Sequence, residues 1–301
     1  MGEEVTYERL IRFIRTYQPD IVMPSFRDVD SQHGHHRAMT VLSERAYKDA
    51  ADPNVFPHQL EEGLSVWQTK KLYLPAASPQ TATTSIEIGM YDPIYEMSYP
   101  QLGEQSRYMH KSQGMGRDIP VAPRQTYLEL VDSAVDTKGS NDLFAGIPYD
   151  FTEWAQVFSE NQNDLKVHFT KLQSELDGIV AAYPNENTVF SKSQSALKDV
   201  RQLTKKVEKA KLDEALKHDL LRKLANKEEQ LQEASFVATS LDVNVEPDST
   251  ILTQGQNTEV SITLINNGMQ KLGKVEAQLI VPDGWKVSKK SKAGILKPGK
   301  A

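Results

Sequence analysis

The chain of 301 residues contains no cysteine, which excludes disulfides and thiolate metal sites and leaves the redox compartment open. It has no apolar run near the roughly 18 residues a membrane-spanning helix needs. Met1-Gly2-Glu3-Glu4-Val5-Thr6 offers neither a basic nor an apolar leader region, so no signal peptide is expected on these residues. Clustered positive charge is lacking too: the formal net charge is -6. A general nucleic-acid binder needs grouped Lys and Arg against phosphates, and no nucleic-acid partner is expected.

Hydrophobic residues make up 39% of the chain and charged ones 25%, ordinary values for a soluble globular protein, and the length suggests two domains. Histidine is sparse, with seven in all, yet His33, His35 and His36 fall within four positions of Asp28-Val29-Asp30-Ser31-Gln32-His33-Gly34-His35-His36-Arg37-Ala38. A strand-like run precedes this stretch, so it sits where open α/β sheets place their sites, at the carboxyl edge. His33 and His36 are three apart and can share one volume across a helical turn. Neutral imidazole is a common zinc ligand, and an H-x-x-H pair supplies two ligands or one ligand and one proton-handling group. The competing reading is a polar helix start with solvated histidines. Periodicity does not decide which of His35 and His36 faces inward.

The apolar positions Leu10, Phe13, Ile14 and Tyr17 predict a helix from Thr6 to Tyr17, ended by Gln18-Pro19. Ile21-Val22-Met23 reads as a short strand bounded by Pro24. After the histidines, Met39, Leu42, Ala46 and Ala50 mark the inner stripe of a second helix. Lys71–Leu74, Thr84–Met90 and Tyr127–Val131 read as strands. His58 reads as a loop histidine. Ser98 to Ser112 reads as a helix that presents Arg107, His110 and Gln113 on one face, able to hydrogen-bond a sugar or simply to cap the helix end.

The run from Tyr7 to Ala51 resembles the second half of an LmbE-like (PIG-L) de-N-acetylase domain, in which a helix, an R-P-D-V-V strand and an acidic loop lead to G-H-x-x-H-R-A. The matching residues here are Gln18-Pro19-Asp20-Ile21-Val22, then Asp28 and Asp30, then Gln32 to Ala38. Ser106 to Gly116 is similar to the late H-x-S-Q segment of larger bacterial members. The resemblance implies a Rossmann-like α/β fold and a zinc-dependent hydrolase that removes the N-acetyl group from an N-acetylglucosamine-type substrate. It places His36 on the last zinc ligand and His33 on the group that steadies the oxyanion and protonates the leaving amine. Asp30, Arg107, His110 and Gln113 are its candidate substrate-binding residues. The family's first motif, His-Pro-Asp-Asp, supplies two further ligands and the general base and is not found here. The expectation is therefore an N-terminally incomplete catalytic domain over 1–148, possessing part of a metal site, with Asp28 and Asp30 the first candidates to complete it.

From residue 149 to 236 the pattern is helical. Leu165, Phe169, Leu172, Leu176 and Ile179 form one seam, Leu197, Val200, Leu203 and Val207 a second, and Leu212, Leu216, Leu220, Leu224 and Leu231 a third. Three amphipathic helices forming a small bundle or spacer are expected. From 237 to 301 the period becomes two, with strands at Leu241–Val245, Val260–Leu264 and Val275–Val281 and a turn at Asn266-Asn267-Gly268. This part resembles the beginning of the Ig-like sandwich modules found beside bacterial glycosidases and deacetylases, and the Lys-rich stretch from Lys286 to Lys300 reads as the point where that module is cut. Such company favours an extracellular or cell-surface parent protein, with the cytoplasm as the alternative. A second function class stays open: a non-catalytic surface protein that binds carbohydrate or a partner and carries a decayed deacetylase half-domain.

Overall fold

Residues 2–288 and 294–300 are described by a computed structural model. The chain divides into two units, Met1–Pro148 and Tyr149–Ala301.

In the first unit, helix α1 (Glu3–Tyr17) begins with Glu3 and Glu4, whose charges suit the positive end of the helix dipole. It stops at Gln18, which adopts a left-handed conformation (φ 49°) and donates its N–H to the Ile14 carbonyl at 2.8 Å; Pro19 then prevents further helical bonding. The buried face is Tyr7, Ile11, Ile14 and Arg15. This corrects the expected stripe, because Phe13 and Tyr17 are 55% and 64% exposed and lie against each other with centroids 4.5 Å apart. Arg15 turns the helix: its buried guanidinium donates to the carbonyls of Ala50 (3.2 Å), Asp52 (2.8 Å) and Phe56 (3.3 Å) and to Gln59 Oε1 (3.2 Å). Each of these carbonyls also accepts one backbone N–H, from Trp67, Val55 and Gln59, so Arg15 fills their second acceptor position.

Strand β1 (Ile21–Val22) is followed by helix α2 (Gly34–Asp49), whose buried residues include Leu42 and Ala46, with Ala50 buried just beyond it. Met39, expected on that stripe, is 40% exposed. A short helix α3 (His58–Glu61) precedes strand β2 (Lys71–Pro75); His58 Nε2 stands 2.7 Å from Glu8 Oε1. Strand β3 (Thr84–Glu87) is shorter than expected, because the Glu87 carboxylate accepts the Gly89 N–H at 2.6 Å and turns the chain. A two-residue ladder between β4 (Tyr91–Asp92) and β5 (Met97–Ser98) leads into helix α4 (Tyr99–Tyr108), and strand β6 (Gln125–Ser133) follows. The sheet order is β1-β2-β6-β3, with β1 parallel to β2 and the other pairs antiparallel. The run Lys71–Leu74 is buried throughout, as a central strand requires. Lys71 meets that burial by donating Nζ to the Leu143 carbonyl at 3.0 Å, and desolvation lowers its pKa.

In the second unit, a short helix α5 (Phe151–Ala155) is capped by Asp150, whose Oδ1 accepts the Glu153 N–H at 2.8 Å. Helices α6 (Asn163–Val180), α7 (Glu186–Lys209) and α8 (Glu214–Ala238) follow the three seams. Asn185 and Asp213 cap α7 and α8 by accepting backbone N–H groups, which satisfies donors the helices leave open. Their shared core includes Phe169, Leu172, Val200, Leu203, Leu220 and Leu224, with α7 packed against both neighbours.

Strands β7 (Leu241–Pro247) and β8 (Val260–Asn266) pair antiparallel in the register Leu241↔Asn266 to Pro247↔Val260. Gly268 is required in the turn after β8, since a Cβ there would sit 2.4 Å from the Thr239 carbonyl oxygen. Among the described residues no strand forms at Val275–Val281; the chain there makes single bridges, Leu272↔Leu296 and Asn266↔Lys300, and the Val275 N–H donates to the Gly294 carbonyl at 3.3 Å. Among the described residues this part forms one two-stranded sheet, β7-β8; within the Lys-rich stretch, residues 289–293 lie outside the described set. No helix among the described residues is long and apolar enough to cross a membrane.

Candidate metal centre

The histidine stretch leaves the carboxyl end of β1 through a loop fastened to the sheet by Arg27. Its guanidinium donates to the Pro75 carbonyl (2.8 Å) at the end of β2 and to Glu129 Oε2 (2.7 Å) on β6. The loop then closes a local turn, Gln32 N–H donating to the Val29 carbonyl at 2.9 Å. His33 is the N-cap of α2 in an extended conformation (φ -64°, ψ 145°), and Arg37 N–H donates to its carbonyl at 3.1 Å. His35 and His36 fall in the first helical turn. The change from extended to helical backbone at His33 lets side chains converge that a continuous helix would splay.

One nitrogen from each of His33, His35 and His36 lies within 4.8 Å of the others. Ring centroids are 5.3 Å apart for His33 and His36, 4.2 Å for His35 and His36, and 5.7 Å for His33 and His35. His36 is half-buried: its ring stacks on Phe26, 3.8 Å away with the planes 2° apart, whereas His33 and His35 are exposed. Thr40, on the next turn, donates its hydroxyl to the Phe26 carbonyl at 2.8 Å, which holds that backbone against α2. Gln32 Oε1 stands 3.4 Å from His36 Nδ1. With the proton on Nδ1 facing that oxygen, Nε2 is left with its lone pair for a ligand. Burial lowers the His36 pKa, and the neighbouring charges of His35 and His33 lower it further, which favours the neutral, metal-binding form.

Arg37 draws Asp28 and Asp30 to itself, with Nε 2.5 Å from Asp28 Oδ1 and Nη1 3.2 Å from Asp30 Oδ1. Among the described residues, no carboxylate joins the metal-capable group, so the expectation that Asp28 or Asp30 completes it is corrected: both serve to fix the loop.

The later segment is not a single helical face. Helix α4 ends at Tyr108, Met109 caps it, His110 leaves helical geometry (φ -81°, ψ 65°), and Lys111–Gln113 form one 3-10 turn. Arg107 pairs with Glu104 at 3.1 Å, and Arg107, His110 and Gln113 are all exposed. A chain that passes through left-handed Gly114 and Gly116 cannot continue α4. His110 does not belong to the histidine group.

Sequence reasoning missed Phe26, Gln32 and Thr40 as supports of His36. Only Thr40 carried a signal, standing four residues after His36 on the same helical face.

Imidazole nitrogen is a common metal donor, and the three histidines form a group that could hold a metal ion. No family model matches the chain, and no curated protein matches it.

Proposed function

We propose that this chain carries the histidine part of a zinc-dependent de-N-acetylase acting on an N-acetylglucosamine-type amino sugar, built on a Rossmann-like LmbE domain with an Ig-like module beside it. The observation that carries the reading is the unequal pair His36 and His33: one ring half-buried and stacked on Phe26, the other exposed 5.3 Å away. Such a difference in environment is what separates a ligand from a proton-handling group.

His36 would hold the ion through Nε2, oriented by Gln32 at Nδ1. A zinc ion bound there supplies Lewis-acid polarisation of the amide carbonyl. His33, free to move at the exposed helix start, would carry a proton to the leaving amide nitrogen and steady the oxyanion. Arg37 pairs with Asp28 and Asp30 and so ties the loop to the start of α2. Asp30, Arg107, His110 and Gln113 present exposed polar groups, the kind sugar hydroxyls require.

The test is elemental analysis of the purified chain after dialysis against a weak chelator, together with acetate release from N-acetylated sugars. Zinc near one per chain, lost in His36→Ala, is the expected result; the resemblance puts the general base in the motif not found here, so acetate release is read only in a preparation that shows it, where it is lost in the same variant. A zinc-free chain, or undiminished release in the variant, overturns the reading and leaves the non-catalytic binding role.

A further inference from the structure

We propose that the turn between β4 and β5, with the start of α4, binds a quaternary ammonium cation, the rings of Tyr95 and Tyr99 forming the walls and the Asp92 carboxylate the counter-charge. Tyr95 and Tyr99 are 51% and 54% exposed, and their centroids stand 6.2 Å apart with the planes inclined at 62°. A cation is attracted to an aromatic ring within about 6 Å of its centroid. One ion seated in the angle between these rings is in reach of both. Their setting is fixed in advance: Asp92 Oδ1 accepts the Ile94 N–H at 2.8 Å and the Tyr95 N–H at 3.3 Å, which shapes the turn, and Oδ2 accepts the Tyr99 hydroxyl at 3.1 Å. Ser98 and Gln101 cap each other at the start of α4. A ligand therefore has little left to order on binding.

The charge of the segment points to a cation. No Lys or Arg occurs between Lys71 and Arg107, whereas Glu87, Asp92, Glu96 and Glu104 all fall there. The Ile94 N–H, above all, holds the Asp92 carboxyl below the usual carboxylate range, so it is ionised at neutral pH, and no Lys or Arg pairs with it among the described residues. Its bonding selects the kind of cation. A carboxylate has about four acceptor positions, and Ile94, Tyr95 and Tyr99 occupy three of them. An ammonium with three N–H donors finds little there to accept them, whereas a quaternary ammonium needs only charge and aromatic surface. Asp92 and the exposed Glu96 repel phosphate, which favours a free cation over a zwitterionic lipid headgroup.

The test is an NMR titration of the full chain, ring-labelled at tyrosine, with choline, its neutral tert-butyl isostere, glucosamine and phosphocholine; Tyr95→Phe and Tyr99→Phe assign the two rings. Choline is expected to shift both rings saturably and to bind about 5-fold tighter than the isostere, the scale of two exposed cation–π contacts, and tighter than glucosamine or phosphocholine. Tyr95→Ala should weaken choline by about 2- to 5-fold, the scale of one such contact. Asp92→Asn, which keeps an oxygen for the turn, should weaken it by about 3-fold, as loss of one unit charge a few ångströms away in water predicts. No ring shift with choline, or equal binding of the isostere, overturns the cation site. Tighter binding of glucosamine overturns the quaternary assignment, and tighter binding of phosphocholine overturns the free cation. Unchanged choline affinity in both Tyr95→Ala and Asp92→Asn overturns the location. The comparison among ligands is made on the wild-type chain and so does not depend on any variant folding.

Discussion

The imidazole of His36 lies flat on the phenyl ring of Phe26, 3.8 Å between centroids and 2° between planes, and Phe26 is held there by the Thr40 hydroxyl on its carbonyl. Phe26→Ala removes the surface that fixes the ring while leaving every histidine in place. Zinc affinity is expected to fall about 10-fold, the lower scale for loss of a supporting contact around a ligand, and calorimetry on the variant checks it. An unchanged affinity would show that stacking does not orient the ligand.

His33 and His36 separate binding from chemistry. In a preparation that releases acetate, His36→Ala should lose zinc and turnover together, whereas His33→Ala should keep zinc and slow turnover by about 10² to 10⁴, the scale of one acid–base group. Paired metal analysis and rate measurements decide between the roles, and equal rates in all three proteins would refute both.

Arg15 joins α1 to the loop after α2 through three carbonyls and Gln59. Arg15→Ala removes four hydrogen bonds, although each carbonyl keeps one backbone N–H, from Trp67, Val55 and Gln59. At about 0.5–1.5 kcal/mol net for each bond, a loss of at least about 2 kcal/mol in urea denaturation is expected. Arg15→Lys should recover only a minor share, since one ammonium cannot reproduce the planar fork.

The Glu87 carboxylate accepts N–H groups from Gly89 (2.6 Å) and Arg124 (2.8 Å), and these hold its pKa below the usual carboxylate range. The unfolded chain then binds the proton at higher pH than the folded one. The contribution to stability is complete above the ordinary glutamate value and lost as pH falls through the lowered folded value. The protection factors of the Gly89 and Arg124 amides, taken against intrinsic exchange at each pH, should fall over that acid window in the native protein. Glu87→Gln should show no such titration, and protection factors that fall equally in the variant would refute the assignment.

Phe169 is fully buried, with Phe158 and Phe151 at centroid distances of 5.1 and 5.7 Å. Phe169→Ala should cost about 3–5 kcal/mol through lost burial and the cavity left behind. Denaturation followed by helical circular dichroism measures it; a loss under about 1 kcal/mol would mean the core closes over the gap.

The three helices α6, α7 and α8 were legible from their seams, because Leu165, Phe169 and Leu172, or Val200, Leu203 and Val207, repeat at the helical period and that period is a local property of the backbone. The start of α2 at the histidine stretch and the strands at Lys71 and Tyr127 were legible for the same reason. Which face α1 buries was not. Phe13 and Tyr17 are as apolar as Tyr7 and Ile11, and the choice fell to Arg15, whose carbonyl partners lie 35 or more residues away. Nor could alternation at Val275–Val281 reveal that these residues form no strand among the described ones. At the candidate site, the sequence by itself determined that three imidazoles fall within four positions. Only the tertiary structure decided that His36 lies half-buried on Phe26 and that Asp28 and Asp30 go to Arg37. Those outcomes depend on backbone angles at one N-cap and on contacts between segments, which local spacing does not encode.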